Sequence, residues 1–596
     1  MAVKVIDSDE LIPIEQHFRV SAGPGAGKTH WLINHIHNVL YNSKRLTKSK
    51  KIACITYTNI GVETILKRLG AVDDKVEVST IHSFLYKHLV KPYVSFIASE
   101  YELNVEKMEA PDDFYVRISL IKDWISNHPH KNELRHPYLE NQLLFLNNNI
   151  TAIRNWLNTL TFAINKNDDL EAICDPSKAF YINEDGERRY LNKNCISILS
   201  KDLLAFIKLY WRRGQIHYDD VLFFSFQILK KIPFTIEIIR AKFPYLFIDE
   251  FQDTNPIQTN FLRAAGQKET IVGIIGDPAQ SIYSFQGARP ADFTNFHLNG
   301  LLDYQILNNR RSTNRITSIL NDVRTDIRQN PIRNIEGDTP FLIIGDMIEG
   351  YRLSKSLNSQ REIMCLTRTN INTNAIRRQI DVDIPSSDLI QKFYSVDSDK
   401  DRRRTVSCCV KAIELAMERN FGDSIKELDK IYKIIADKDL RKKRILSDLS
   451  FLLSNYDKII NLSLYDFLQF IKPRINKSLS NLSNRGNIKP FYTSHSYKQM
   501  AVCVKVTEEY TPFRTIHKAK GAEFDSVFLA LEDESDLVFL LSPNLSNEEH
   551  RINYVALSRA RDQMFISVPT LSEVNKTVMQ SKGFNLAIIS DLGERA

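Results

Sequence analysis

One glycine-rich segment, residues 20–29 with the sequence VSAGPGAGKT, constrains this chain more than any other. It lies between a short apolar stretch, 18–20, that is typical of a strand and a run, 31–40, that is typical of a helix. In that setting a glycine-rich turn lets consecutive backbone N–H groups converge on a phosphate at the N-terminus of a helix. The spacing matches the loop G-x-x-x-x-G-K-[ST], except that Ala22 replaces the first glycine. The segment therefore predicts a nucleoside triphosphate site.

The residues of this phosphate loop have separate expected tasks. We expect Lys28 to reach the β- and γ-phosphates and the hydroxyl of Thr29 to bind Mg²⁺. The backbone cradle around the nucleotide is expected to consist of Ala22, Gly23, Pro24, Gly25, Ala26 and Gly27. The alternative is an ordinary Gly/Pro turn before a lysine, and the order of strand, loop and helix favours the nucleotide site.

Two carboxylates, Asp249 and Glu250, directly follow the apolar strand candidate 245–248. An acidic residue at the end of such a strand can hold Mg²⁺, and its neighbour can orient and deprotonate the attacking water. We expect Asp249 to bind the metal and Glu250 to act as the base. Together with Lys28 and Thr29, this pair favours hydrolysis over transfer to a bound acceptor.

Short apolar strands alternate with helical runs in two parts of the chain, and a mainly helical stretch interrupts each part. This alternation predicts an α/β fold with two parallel-sheet domains, each carrying a mainly helical insertion. The predicted ranges are 1–84 and 212–300 for the first sheet domain, 85–211 for its insertion, 301–380 and 505–596 for the second sheet domain, and 381–504 for its insertion.

Composition excludes several classes of protein. Among the 596 residues, no apolar run approaches the roughly 18 that a membrane helix needs, and the N-terminus lacks the pattern of a signal peptide. We therefore expect a cytoplasmic protein with no membrane partner. The seven cysteines are scattered without a C-x-x-C pair, which predicts buried free thiols and no zinc or iron–sulfur site. A net charge of +7 is compatible with nucleic acid but does not identify it.

A series of sequence blocks resembles, in order, the motifs of the superfamily 1 UvrD/Rep/PcrA-type DNA helicases. The blocks read AGPGAGKT at 22–29, TYTN at 56–59, TIHSF at 80–84, DEFQDTNPIQ at 249–258, GDPAQSIYSFQGA at 276–288, NRRST at 309–313, TIHKAKGAEF at 515–524 and EEHRINYVALSRA at 548–560. Alanine at the first position of the phosphate loop is usual in that family. The resemblance implies two RecA-like motor domains, ATP with Mg²⁺ as the nucleotide, and DNA as the partner.

The resemblance also implies roles for single residues. Gln280 would sense the γ-phosphate or its attacking water and link the nucleotide to the DNA groove. Arg311 and Arg559, expected from the second sheet domain, would act as arginine fingers, which stabilise charge in the transition state. Glu523 resembles the family residue near the ribose. Arg310 stands where the family has an aromatic residue that stacks on adenine, and a guanidinium plane can also stack.

The family likeness further implies a single-stranded DNA path lined by aromatic and small polar residues. Aromatic rings stack bases without reading their sequence, and hydroxyl and amide groups hold phosphates. The expected residues are Tyr57, Thr58, Asn59, Thr80, His82, Phe84, Tyr283, Phe285, Thr515 and His517. Any one of the aromatic residues fits a hydrophobic core equally well, so the prediction rests on the set.

Three features leave alternatives open. Gln16 is a candidate adenine-reading glutamine, but it lies closer to Lys28 than usual. The basic run RKKR at 441–444 fits either contacts to duplex phosphates or a solvated helix face. The second insertion is short and lacks a Gly-Gly-x-x-Phe-type signature, which argues against processive unwinding by this chain alone.

The compact organisation resembles the helicase subunit of Gabija-type anti-phage systems, which implies an OLD-family ATPase–nuclease partner in trans. Because the chain ends soon after Ala560, we expect no nuclease domain of the RecB/AddA kind. The leading prediction is an ATP-dependent 3′→5′ translocase or helicase on single-stranded or 3′-tailed DNA, in anti-phage defence or DNA repair. The alternative is a DNA-responsive regulatory ATPase that controls a partner nuclease with little unwinding of its own. The motor motifs after residue 500 exclude a P-loop kinase or a pure binding module.

Overall fold

The protein is described by a computed structural model that covers residues 3–70, 73–112, 114–134, 137–183, 187–324, 326–358, 361–380, 389–484, 487–505 and 511–589. The chain divides into two compact units. The first comprises Met1–Asn183, Arg188–Asp338 and Ser542–Asp562, and the second comprises Glu184–Glu187, Thr339–Leu541 and Gln563–Ala596. Residues 301–338 and 542–562 thus fall in the first unit. The predicted domain ranges stay a prediction, and the start of the predicted second insertion, 381–388, lies outside the described residues.

A seven-stranded parallel sheet organises the first unit. The described strands of this unit are β1 (Lys4–Ile6), β2 (Phe18–Ala22), β3 (Ile52–Thr56), β4 (Val76–Thr80), β5 (Thr161–Ile164), β6 (Leu170–Ile173), β7 (Phe180–Ile182), β8 (Arg188–Tyr190), β9 (Tyr245–Ile248), β10 (Ile271–Gly276), β11 (Leu302–Ile306), β12 (Asn308–Asn309) and β13 (Asn330–Pro331). The sheet has the order β1-β11-β2-β10-β9-β3-β4, and every pairing in it is parallel. Strands β5–β6 and β7–β8 form antiparallel hairpins, and β12–β13 is a short parallel pair.

The central strands are buried on both faces because their sequences are continuous apolar runs. Along β3, Ile52 and Cys54 pack into one core, and Ala53 and Ile55 pack into another on the opposite face. The helices of this unit are Lys28–Asn42, Asn59–Leu69, Ile81–Leu85, Lys91–Tyr93, Ala98–Tyr101, Ile118–Ser126, Pro137–Phe145, Asn147–Leu157, Lys193–Leu199, Leu203–Trp211, Tyr218–Lys231, Phe234–Lys242, Pro256–Gly266, Pro290–Asn295, Asn314–Val323 and Glu548–Leu557.

A six-stranded sheet organises the second unit. Its strands are β14 (Phe341–Ile344), β15 (Ile363–Thr367), β16 (Phe513–Thr515), β17 (Phe524–Ala530), β18 (Ala560–Val568) and β19 (Asn585–Ile588), in the order β16-β15-β17-β18-β14-β19. The helices of this unit are Met347–Leu357, Asn370–Arg378, Leu389–Val396, Lys400–Met417, Phe421–Tyr432, Lys438–Ser454, Tyr456–Ile459, Leu464–Ile475, Ile488–Ser494, Tyr497–Ala501, Ile516–Ala519, Val538–Leu541 and Glu573–Ser581. Most of those between 389 and 501 share a separate helical core.

The two sheets confirm the predicted α/β fold with two sheet domains of the RecA-like kind. Strand β11 was expected at the start of the second sheet domain, but it pairs with β1 and β2 in the first sheet. In the described part of the chain, no helix combines the length and the apolar character that crossing a membrane requires.

Candidate nucleotide and DNA sites

The phosphate loop connects β2 to the helix Lys28–Asn42. Gly25 and Gly27 have φ angles of 69° and 82°, a left-handed backbone that side chains rarely adopt. A Cβ atom at Gly25 would also lie 2.6 Å from Cβ of Arg311. These two positions therefore require glycine, and the loop wraps closely around the start of the helix.

The Lys28 ammonium lies folded against its own loop. Its Nζ donates to the carbonyl oxygens of Ala22 at 3.0 Å and Gly23 at 3.3 Å. Burial lowers the pKa of Lys28, and the negative charges of Glu250 and Asp277 act against that effect. An ammonium enclosed among backbone carbonyls and carboxylates can exchange these partners for phosphate oxygens.

Asp249 leaves the end of β9 and meets the first helical turn of the phosphate loop. The Thr29 hydroxyl donates to Oδ2 of Asp249 at 3.4 Å. Burial and the neighbouring Glu250 raise the pKa of Asp249 to about 7. A hydroxyl oxygen and a carboxylate that converge in this way fit Mg²⁺, which prefers oxygen ligands. A divalent cation at that point would favour the ionised carboxylate.

Glu250, the predicted base, has a φ of 55° although it is not glycine. A left-handed backbone at such a residue costs on the order of 1–3 kcal/mol and persists only where the surroundings hold it. Part of that support comes from Gln252, whose side-chain amide donates to Oε2 of Glu250. The conformation directs the Glu250 side chain differently from a residue that simply continues the strand.

A buried chain of hydrogen bonds runs from this carboxylate to an arginine. The Gln252 side chain also accepts from the backbone N–H of Asp277 at 2.9 Å. Oδ2 of Asp277 accepts from Nε2 of Gln280 at 2.6 Å, and Oε1 of Gln280 accepts from Arg559 at 2.9 Å. Gln280 and Arg559 are almost completely buried. The predicted γ-phosphate sensor and one predicted arginine finger are thus in direct contact.

The second predicted arginine joins the same region. The Arg311 guanidinium donates to the carbonyl oxygen of Ser558 at 2.7 Å, and the backbone N–H of Arg310 donates to Gly25 at 2.8 Å. Arg311 and Arg559 were expected from the second sheet domain, and both lie within the first compact unit. The reason is that segments 308–313 and 556–561 hydrogen-bond to each other, and the former also bonds to the phosphate loop.

Arg310, at the position of the family's stacking aromatic residue, is held by an acidic turn near the N-terminus. It donates to Asp7 at 2.5 Å and to Asp9 at 3.2 Å, and the ring of His30 lies 2.7 Å from Asp9. This turn packs against Gly27 of the phosphate loop through Ser8. Two further expected nucleotide contacts, Gln16 in the first unit and Glu523 in the second, are exposed.

Three of the predicted DNA residues form one aromatic cluster. The Tyr57 and Tyr283 rings are 5.0 Å apart, and the Phe285 ring is 5.9 Å from Tyr283. Phe285 is 69% exposed, so its face is open to a base. Gln286 accepts a hydrogen bond from the Tyr57 hydroxyl and ties the cluster together. Gln280 and Tyr283 lie three residues apart on one loop that continues from β10.

Two of the small polar residues predicted to contact DNA, Thr58 and Thr80, cap helices. The Thr58 hydroxyl accepts from the backbone N–H of Gly61, the Thr80 hydroxyl accepts from Ser83, and Asn59 is exposed. His82 is half-buried, and burial lowers its pKa to about 4, so the imidazole is neutral at pH 7. Phe84 differs from the rest of the set, because it is fully buried between Phe243 and Phe261. That environment is typical of core packing.

A pocket beside the aromatic cluster was not predicted from the sequence. A cavity of about 330 Å³ is lined by residues that include Tyr218, Asp219 and Gln286. Burial raises the pKa of Asp219, and the Tyr218 ring meets His82 edge-on. The sequence signal is HYDD at 217–220, an acidic pair that opens an apolar helix behind a capping histidine.

Two residues at the start of the helix Glu548–Leu557 were also missed. Arg551 donates to the carbonyl oxygen of Ser281 at 2.6 Å, and Glu548 accepts from the backbone N–H of Ser284 at 3.0 Å. These bonds fix the stretch between Gln280 and Phe285. The helix therefore holds the loop near the aromatic cluster, and Arg559, just beyond its C-terminal end, contacts Gln280.

The second unit contains the predicted Thr515 and His517 at the end of β16. Thr515 is buried and His517 is half-buried. The neighbouring strand β15 leads to Thr369, whose hydroxyl accepts from the backbone N–H of Asn372, and to the exposed Asn370. Neither Thr369 nor Asn370 was predicted from the sequence as a site residue. The signal was the string T-x-T-N-I at 367–371, which repeats the one at 56–60.

The sequence matches two protein-family models that follow one another along the chain. The UvrD/REP helicase N-terminal domain matches residues 7–299, and the UvrD-like helicase C-terminal domain matches residues 299–570. The chain is similar to ATP-dependent DNA helicase Rep of Buchnera aphidicola subsp. Schizaphis graminum, with 24% identity over 92% of this chain and 90% of that protein. It is 22% identical to ATP-dependent DNA helicase PcrA of Staphylococcus aureus, over 94% of this chain and 82% of that protein.

A third similarity is to Gabija protein GajB of Bacillus cereus. The identity is 27% over 387 residues, which are 59% of this chain. The matched stretch spans 54% of that protein, so the sequence similarity covers only about half of the length of this relative.

Proposed function

The chain belongs to the UvrD/Rep family of DNA helicases, and on that premise we propose that it is an ATP-dependent 3′→5′ translocase or helicase on single-stranded DNA. ATP use follows from the family, and the polarity is carried over from the family resemblance alone. The observation that carries the proposal is the loop after β10. Gln280 at one end contacts Arg559, and Tyr283 and Phe285 at the other end belong to the aromatic cluster. A single short loop can therefore couple the state of the bound nucleotide to the affinity for DNA bases.

For hydrolysis, the loop N–H groups and Lys28 would hold the phosphates, and Thr29 with Asp249 would hold Mg²⁺, which neutralises phosphate charge when bound. Glu250 would take the proton of the water that attacks the γ-phosphorus, while the bond to the ADP oxygen breaks. Gln280 would orient that water. Arg559 and Arg311 would stabilise the charge that spreads over the transferred phosphoryl oxygens.

For DNA, the aromatic cluster would stack bases at about 1–3 kcal/mol each without reading sequence. Thr58, Asn59 and Thr80 would hold backbone phosphates through hydroxyl, amide and N–H groups. Thr515 and His517 are expected to do the same in the second unit. We propose anti-phage defence or DNA repair as the setting of this activity.

The similarity to Gabija protein GajB favours a second candidate function. In it the chain is a DNA-responsive ATPase that regulates a nuclease supplied in trans, of the OLD-family kind, with little unwinding of its own. Both candidates require the same nucleotide site. They differ in whether strand separation by the chain alone accompanies hydrolysis.

ATPase and strand-displacement assays on single-stranded, 3′-tailed and 5′-tailed DNA separate the two candidates. The assays are run with and without the product of the neighbouring gene. Displacement of the 3′-tailed duplex by the chain alone would contradict a purely regulatory role, and displacement of the 5′-tailed duplex would contradict the polarity. ATP hydrolysis that does not depend on DNA, without strand displacement, would contradict the proposed translocase or helicase function.

A further inference from the structure

Arg324 lies outside every motif of the nucleotide site, yet its side chain is only 1% exposed. It follows the helix Asn314–Val323. Its terminal NH1 donates to both carboxylate oxygens of Asp277, at 2.8 and 2.9 Å. Its Nε and NH2 donate to the two oxygens of Asp326, each at 2.7 Å. The guanidinium also lies over the Tyr554 ring at 5.7 Å.

Asp277 is the junction of the buried hydrogen-bond chain described above. Its side chain is fully buried, and its Oδ2 accepts from both Arg324 and Gln280. We propose that Arg324 is a positioning residue for ATP hydrolysis, because its hydrogen bonds to both oxygens hold the Asp277 carboxylate in place, and that carboxylate in turn orients the Gln280 amide. The inference rests on the proposed function of this site.

The two ends of the Gln280 amide face different partners. An ionised carboxylate only accepts hydrogen bonds, so Nε2 of Gln280 must face Asp277 and Oε1 must face Arg559. Oε1 is then fixed on the Arg559 guanidinium, and the amide that would orient the attacking water has one defined orientation.

Arg324→Met removes the donor that bonds both oxygens of the Asp277 carboxylate, so this carboxylate can turn and no longer holds Nε2 of Gln280. The Gln280 amide can then rotate and turn its NH₂ group toward Arg559. Two donors would then face each other, and the contact between the sensor and the arginine would be lost. The expected defect is in the chemical step, and nucleotide binding by the phosphate loop is left intact.

The experiment compares Arg324→Met with two matched variants. Arg315→Met removes a half-buried arginine of the helix Asn314–Val323, one that bonds Glu336 at 3.2 Å. Asp326→Asn removes the outer carboxylate and leaves the bond from Arg324 to Asp277. Single-stranded-DNA-stimulated kcat and KM for ATP are measured with the full chain, together with Tm and the affinity for a fluorescent ATP analogue.

We expect Arg324→Met to lower kcat about 30- to 100-fold, the scale of a displaced polar group in a preorganised site, with KM and analogue affinity within about threefold. Both matched variants should keep kcat within about threefold of the wild type. Arg324→Met with kcat within twofold of an active wild type would overturn the inference.

The double variant Arg324→Met/Asp277→Asn distinguishes positioning from charge neutralisation alone. Removing both charges should restore Tm, because no unpaired buried charge remains. The side-chain amide introduced at position 277 can present either a donor or an acceptor to Gln280, so kcat should stay at least about tenfold low. Recovery of both Tm and kcat would overturn the positioning role. A wild-type protein that hydrolyses no ATP with DNA present would contradict the proposed function itself, together with this inference.

Discussion

Both compact units place the same short pattern at the end of two paired parallel strands. In the first unit Thr56 of β3 is in register with Thr80 of β4, and in the second Thr367 of β15 is in register with Thr515 of β16. A Thr-Asn pair follows the first strand of each pair, and Ile-His follows the second. In both units the threonine of the Thr-Asn pair caps a helix.

The first unit also contains the phosphate loop, whose Gly-Lys dipeptide occurs once in the sequence. The carboxylates, Gln280 and both predicted arginines lie in the same unit as that loop. The difference separates two tasks. A pattern present twice suits a ligand with a repeating backbone, and the parts present once suit a single nucleotide site. Substitutions in the two units can test that separation.

The largest effect is expected from Lys28→Ala. Loss of the ammonium removes the charge closest to the β- and γ-phosphates, so ATP hydrolysis should fall by at least about 10³-fold. Lys355→Ala, which removes an exposed lysine of the second unit, should change the rate less than about twofold. The measurement is phosphate release with saturating single-stranded DNA. Hydrolysis that survives Lys28→Ala would show that the nucleotide is bound elsewhere.

Arg559→Ala is expected to have the next largest effect. Arginines that contact transferred phosphoryl groups are worth about 10³–10⁵ in rate in well-studied NTPases, and we expect a loss of about 10²–10⁴ here because Arg311 remains. Binding of an ATP analogue should change little. The matched control is Arg352→Ala, an exposed arginine of the second unit that bonds Gln379. Equal losses in analogue binding and in kcat would assign Arg559 to nucleotide binding.

The sequence predicted the α/β fold because buried parallel strands are continuous apolar runs that periodicity reveals directly. It also predicted the phosphate loop, Asp249 and Glu250, since their spacing is local. Arg324 could not be predicted, because its role depends on a bond to Asp277, 47 positions away in the chain. The assignment of Arg311 and Arg559 to the first unit could not be predicted either, because it depends on tertiary hydrogen bonds between distant segments. Phe84 shows the limit of motif reasoning, because burial depends on neighbours that no single motif specifies.

The duplicated pattern leads to a paired prediction for DNA binding. Asn59→Ala and Asn370→Ala each remove an exposed amide at the first position of a helix. If both patterns hold the DNA backbone, each change should weaken single-stranded DNA binding about three- to tenfold, as expected for one hydrogen bond, and leave ATP affinity unchanged. Fluorescence anisotropy with a labelled oligonucleotide measures this. Asn42→Ala, another exposed helical asparagine, serves as the control. An effect from only one of the two sites would mean that the repeat does not share a task.

The smallest effect concerns the cores behind the two sheets. His35, on the phosphate-loop helix, is buried against Trp31, Phe18 and Phe247, and its ring nitrogens have no hydrogen-bond partner among the described residues. Burial lowers the pKa of His35 to about 3. Among the described residues of the second unit, no histidine is buried. The first unit should therefore be the more acid-sensitive of the two.

His35 lowers the stability of the folded state at acid pH, because the unfolded state takes up the proton first. An unfolded histidine binds a proton below pH 6.5, and the buried one does not until about pH 3, so stability is complete above pH 6.5 and declines below it. When the pH falls from 7 to 5, His35 should lower the free energy of unfolding by about 2 kcal/mol, and His35→Phe should remove that decrease. All four tryptophans, Trp31, Trp124, Trp156 and Trp211, lie in the first unit, so urea unfolding followed by tryptophan fluorescence reports on it selectively. An equal shift in midpoint between pH 7 and 5 for the wild type and His35→Phe would assign the acid sensitivity to other groups, and the two cores would then differ in packing alone.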